Sequence, residues 1–368
     1  MSASRGASSA SPAVDPPGSN GATVMHMEVT GQKNLRRYGT VTRYRTLMSD
    51  GTEREVIHGQ SLTGRKHNAG PLPLTLVTAP PLSLGPDGMV MHFLLRSMEG
   101  GLDGLVFGPE RSRSDVDVSA VDRRRIADSL TLPNSAQAAH RLADHLAQHH
   151  SVDLRHVVWV GISLGAIKGI LFSALAPSFD RTVVYSHFVA PVCPAPMAAP
   201  TEAEYRRFLF GELGALFRTS GELIAKDVRD RTIGIHENVM RIARPGLLMR
   251  YARSAPRDSA FHMFTTAWRE AIVNGDAGRG ARSLPLERLT TFELFDRDSG
   301  SPVEQWREQL RRQLRSGSCR LVVEHGLHTD AVRLSYQAKR AKAVEDVVGQ
   351  LRRGVPVDEL RHPLDATT

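Results

Sequence analysis

Residues 157–168 read VVWVGISLGAIK. Four apolar residues, three of them β-branched, enter Gly161, and an apolar run with a single lysine leaves Gly165. The spacing predicts a strand over Arg155–Val160, followed at once by a helix over Leu164–Leu175 that ends near Pro177. Between them stands G-x-S-x-G. At so tight a strand-to-helix turn the serine is forced into a strained backbone conformation. Side chains two residues before and two after it would collide, so glycine is wanted at both places. The turn exposes the Ser163 hydroxyl above the sheet. The helix starting at Leu164 offers backbone N–H groups and a positive dipole end to a developing oxyanion.

A serine hydroxyl is a poor nucleophile near neutral pH. It needs a base, and the base needs an orienting carboxylate. Both residue types stand downstream in the order Ser, Asp, His. FDRDSGSP (295–302) follows the predicted strand LTTFELF (289–295) and offers Asp296 and Asp298. EHGLHTD (324–330) follows the strand predicted in CRLVVEH (319–325) and offers His325 and His328. Both clusters lie where strands end and loops begin, on the sheet edge where ligands bind in α/β folds.

Outward from this core the alternation continues. YGTVTRYRTLM (38–48) and EREVIHG (53–59) read as antiparallel strands across the turn SDG. PLPLTLVTAP (71–80), GLVFG (104–108) and RTVVYSHFV (181–189) read as further strands, and Ser135–His149 as a helix. From Pro191 to about Leu284 strand signals vanish and apolar residues recur at helical spacing. Beyond, Ser301, Pro302, Val303 and Glu304 form a capping-box pattern opening a helix, and Thr329–Leu351 reads as one long final helix. The alternation predicts a mostly parallel central sheet with helices on both faces, interrupted by an α-helical cap. The expected division is a disordered Ser/Ala/Gly/Pro tail (1–29), a first part of the core (30–195), the cap (196–285), a second part of the core (286–355) and a short tail (356–368).

Composition narrows the partners. With 368 residues and 41% hydrophobic content, one large domain or one plus an insertion is expected. The net charge is +8, and 41 of the 47 basic residues are arginine, a balance open to acidic partners. The arginines are scattered. The cluster at Arg123, Arg124 and Arg125 and the stripe at Arg307, Arg311, Arg312 and Arg315 lack the aromatic interleaving of single-strand binders, so no nucleic-acid partner is expected. Cys193 and Cys319 make neither a disulfide framework nor a metal cluster, which fits a cytoplasmic location; Cys193 reads as structural. His145 and His149 are one helical turn apart but lack a third ligand, and GDAGRG (275–280) lacks the lysine and preceding strand of a phosphate loop, so no metal site is expected. The N-terminus has no apolar core of the secretory kind. Val157–Pro177 is apolar enough to score as a membrane helix, but Lys168, three glycines and two serines favour strand, turn and buried helix, so no integral membrane segment is expected.

Three motifs together, GISLG (161–165), FDRDSGSP (295–302) and EHGLHTD (324–330), resemble the α/β-hydrolase superfamily over about residues 38–190 and 286–352, with the insert at that superfamily's usual cap position. The resemblance implies hydrolysis of an ester or related acyl bond in a small-molecule substrate, through an acyl-enzyme and without metal or cofactor. It casts Ser163 as nucleophile and the Leu164 N–H as oxyanion donor. A position a few residues past the strand end favours Asp298 over Asp296, and a G-x-H pattern favours His328 over His325. The same triad on this fold also serves acyltransferases and thioesterases, and the fold serves non-catalytic binding proteins. One departure stands out. Many members carry His-Gly after the strand that here is 73–79, where this chain has TAPPLSLGPDG (78–88). Pro80 and Pro81 have no N–H to donate, which leaves Leu82 or Ser83 as the second oxyanion donor. A homodimer is left open.

Overall fold

The computed structural model describes residues 22–62, 74–78, 91–108, 111–112, 132–150, 154–191, 218, 221–222, 225, 289–317 and 319–363. Ten strands form one sheet: β1 (Val24–Leu35), β2 (Gly39–Met48), β3 (Thr52–Ser61), β4 (Leu74–Thr78), β5 (Gly104–Phe107), β6 (Arg111–Ser112), β7 (His156–Ile162), β8 (Thr182–Val189), β9 (Leu289–Phe295) and β10 (Cys319–Glu324). Their order is β1-β2-β3-β5-β4-β7-β8-β9-β10, with β6 paired to β3. The first strands pair antiparallel, and every pairing from β5 through β4, β7, β8 and β9 to β10 is parallel.

Alternation along β7 explains the layers. Val157 and Trp159 belong to one buried cluster, Val158, Val160 and Ile162 to the other. The first face is covered by α2 (Leu132–His150) and α3 (Leu164–Leu175), and Trp306 of α4 (Val303–Gln309) closes its end beside Phe292. The second face is covered by α1 (Met91–Glu99) and α6 (Leu334–Arg352), which bring Phe93, Leu94, Val344 and Val347. Helices on both faces bury β7, β8 and β9 on both sides nearly without a break, which favours apolar residues along them. Burying one side chain such as Phe292 contributes about 1.5–3 kcal/mol.

The structure corrects three expectations. The expected disordered tail overlaps β1, which begins at Val24 and runs as a mostly exposed edge strand with Gly31 inside it. The capping box does not form: Pro302 itself stands at the N-cap in extended conformation, and the helix breaks after Gln309 before α5 (Arg311–Ser316). The last helix is not continuous from Thr329. A 3-10 turn spans His328–Val332, Arg333 is extended at φ −62° and ψ 145°, and α6 starts at Leu334. The arginine stripe keeps its exposed positions, with Arg307 bonded to Glu304 and Arg311 to Glu308. Arg123–Arg125, Cys193, GDAGRG and most of the expected cap lie outside the described residues. Positions 218, 221, 222 and 225 of that segment are helical. Among the described residues no helix is long and apolar enough to cross a membrane, and no group of three potential metal ligands gathers.

Candidate active site

Ser163 stands between β7 and α3 with φ 57° and ψ −123°. A positive φ at a non-glycine residue costs about 1–3 kcal/mol and persists only where the surroundings enforce it. They do so here. The Ser163 N–H donates to the Val189 carbonyl at 2.8 Å, and its own carbonyl accepts from Ala166 at 2.9 Å. A Cβ on Gly161 would lie 2.4 Å from the Gly165 oxygen, so the turn closes only over glycine. Trp159 reinforces it from below, its indole N–H 3.4 Å from that same oxygen. A Cβ on Gly169 would fall 1.9 Å from the indole nitrogen. Glycines at 161 and 169 therefore let backbone and indole approach one another.

Asp298 lies three residues beyond β9. Its carboxylate is buried, accepts the Gly300 N–H at 2.7 Å on one oxygen, and meets Nδ1 of His328 at 2.7 Å on the other. His328 opens the 3-10 turn after β10, with only 12% of its side chain exposed. Asp296 bonds instead to His325 Nδ1 at 2.8 Å and takes the Gly326 N–H at 3.0 Å. These bonds hold its carboxyl below the usual range, the Gly326 N–H contributing most and His325 next. This second pair is largely exposed, the side chains keeping 68% and 43% of their surface. The loops are also joined through the backbone: Asp296 N–H to Glu324 O at 3.0 Å and Arg297 N–H to Gly326 O at 3.1 Å. Since β7, β8, β9 and β10 are parallel neighbours, Ser163, Asp298 and His328 all follow strand C-termini along one sheet edge. Leu164 is the first residue of α3, its backbone N–H adjacent to Ser163. Leu82, Ser83, Pro80 and Pro81 lie outside the described residues, as does Cys193.

A buried polar network escaped the sequence reading. Glu293 on β9 accepts from Arg340 Nε at 2.8 Å and Nη2 at 2.5 Å, and from His187 Nε2 at 2.8 Å. Arg340 also donates to the Ala331 carbonyl, inside the turn that His328 opens. Burial opposes charge on Glu293, but the Arg340 cation outweighs it and holds the carboxyl at about 2. His187, pushed down by burial, accepts from Tyr185, whose hydroxyl meets Thr291 at 2.9 Å. The only sequence signal was charge placed among apolar strand residues.

No protein-family model matches the chain, and no curated protein matches it. Solved structures do. DcsB in complex with its substrate analogue is 12% identical, with a TM-score of 0.51, over 84% of this chain and 98% of that one. The thermophilic esterase from Thermogutta terrifontis is 15% identical, with a TM-score of 0.45, over 82% and 94%. The thioesterase domain from the curacin biosynthetic pathway is 11% identical, with a TM-score of 0.45, over 87% and 99%. At such identities the likeness concerns the fold alone.

Proposed function

The chain has the α/β-hydrolase fold, and we propose that it hydrolyses an ester or related acyl bond through Ser163, His328 and Asp298. The observation that carries the reading is the buried Asp298–His328 hydrogen bond of 2.7 Å, on the same sheet edge as a serine held at positive φ. Asp298, bonded to Nδ1, fixes the imidazole so that Nε2 takes the hydroxyl proton as Ser163 attacks the acyl carbon. The N–H of Leu164 stabilises the resulting oxyanion, with Leu82 as the second donor in this reading. The leaving alcohol takes the proton back from His328, and water, activated by the same imidazole, releases the acid. The substrate is a small acyl compound. The segment 196–285 serves as a helical cap over the site.

A fluorophosphonate probe tests the reading on the purified protein. Stoichiometric labelling, with the adduct mapped by mass spectrometry to Ser163, is the expected result. Labelling absent from the folded wild-type protein, or retained in Ser163→Ala, would overturn it.

A further inference from the structure

The 3-10 turn that carries His328 is gripped from outside the sheet at both ends. Asp330 is buried, and its carboxylate is divided. Oδ2 accepts the Leu327 N–H at 2.9 Å, fixing the residue before His328, and Oδ1 accepts Arg218 Nη2 at 3.3 Å. Three residues on, Arg333 Nη2 donates to Glu222 Oε1 at 3.1 Å. Arg218 and Glu222 are both helical and four residues apart, one turn of a helix, so they share a face. Their charges are opposite, and each meets its complement: the cation meets Asp330, the anion meets Arg333. Gly326 completes the fit. At φ +152°, a Cβ there would lie 2.7 Å from Asp330 Oδ2.

We propose that Asp330 is a positioning residue through which the segment bearing Arg218 and Glu222 sets the placement of His328. One carboxylate holds both the backbone entering His328 and the guanidinium of Arg218. Displacing that cation changes the charge balance on the oxygen pair that pins Leu327. Glu222 and Arg333 fix the other end of the turn, where the chain passes into α6. The Asp298–His328 bond is thus made from β9, while the register of the histidine along the turn is set from residues more than one hundred positions away in sequence. The inference rests on the assignment of His328 as the proton carrier, but the positioning itself is measurable without turnover.

The experiment uses the full chain and two readouts: the downfield proton resonance of the His328 Nδ1–H, and kcat and KM for p-nitrophenyl acetate. Arg218→Ala and Asp330→Asn should each shift or broaden the resonance and lower kcat about tenfold with little change in KM, as expected when a reacting group is misplaced by a fraction of an ångström. Glu222→Arg should do the same by facing Arg333 with a like charge. Combining it with Arg333→Glu restores the pair in reverse and should recover both readouts. A resonance and kcat unchanged in Arg218→Ala and Glu222→Arg overturn the proposal, as does a loss in Glu222→Arg that the reversed pair leaves uncorrected. A wild-type protein that shows the resonance but no turnover counts against the hydrolase reading, and the resonance alone then decides the positioning.

Discussion

Asp298 and His328 meet at 2.7 Å with the carboxylate fully buried, whereas Asp296 and His325 meet at 2.8 Å in the open, on the same two loops. Two Asp–His pairs in parallel thus differ chiefly in solvent. A carboxylate shielded from water orients an imidazole strongly, and an exposed one competes with bulk water. Asp298→Asn should therefore lower kcat about 10⁴-fold by favouring the wrong tautomer. Asp296→Asn should lower it far less, and steady-state ester hydrolysis compares them directly. Equal losses would remove the distinction.

Ser163→Ala should remain folded and lose about 10³-fold or more in ester hydrolysis. Its stability should change little, because the backbone strain at φ 57° bears on serine and alanine alike. Thermal melting beside turnover checks both. A variant that turns over near the wild-type rate would exclude Ser163 as nucleophile.

Gly169→Ala should destabilise by about 1–3 kcal/mol, because its Cβ has nowhere to go against the Trp159 indole. Trp159→Phe removes the clashing pyrrole edge. The double variant should be less destabilised than the two single losses added together, the sign of direct contact. Denaturant midpoints of the three variants settle the coupling.

His140 is stacked between Phe172 and Phe179, donates through Nε2 to the Phe172 carbonyl at 3.0 Å and accepts on Nδ1 from Arg181 at 2.6 Å. Burial first, and the Arg181 charge second, push it down to about 3. An unfolded histidine titrates near about 6.5. Between those values the unfolded chain binds the extra proton, so stability rises with pH. The contribution is complete above about 6.5 and is lost as the pH falls toward 3. His140→Gln should flatten the urea midpoint against pH across that window, and an unchanged slope would show that His140 does not carry it.

Arg340→Met should cost about 3–5 kcal/mol by leaving Glu293 in the core without its cation, with only the His187 imidazole as partner. Adding Glu293→Gln should return part of the loss. Chemical denaturation measures both, and an additive double variant would contradict the pairing.

The strand–turn–helix around Ser163 was legible because sterics act within a few residues, and glycine at 161 is a local requirement. Strands β7 to β9 were legible because burial on both faces keeps them rich in apolar residues. β1 was not, since an exposed edge strand carries no such constraint and its side chains are mostly polar. The preference for Asp298 over Asp296 came from position alone, and burial, which separates the two pairs physically, has no sequence signature. The break at Arg333 was hidden because the chain on both sides has helical composition. Arg340, Glu293 and His187 meet only once the sheet has formed, so no spacing could announce them.

Tyr185 on β8 touches Thr291 on β9 although 106 positions separate them along the chain. Joining two neighbouring strands across so long an excursion shapes how the molecule assembles. Each doubling of such a loop costs only about 0.6 kcal/mol in closure entropy. Natural variation in the length of that excursion is thus nearly free thermodynamically. Kinetically it is not: the last two strands can dock only after a distant search, so refolding should proceed through an early sheet of the first eight strands, ending at β8. Truncations within the excursion should speed refolding while barely moving the melting point.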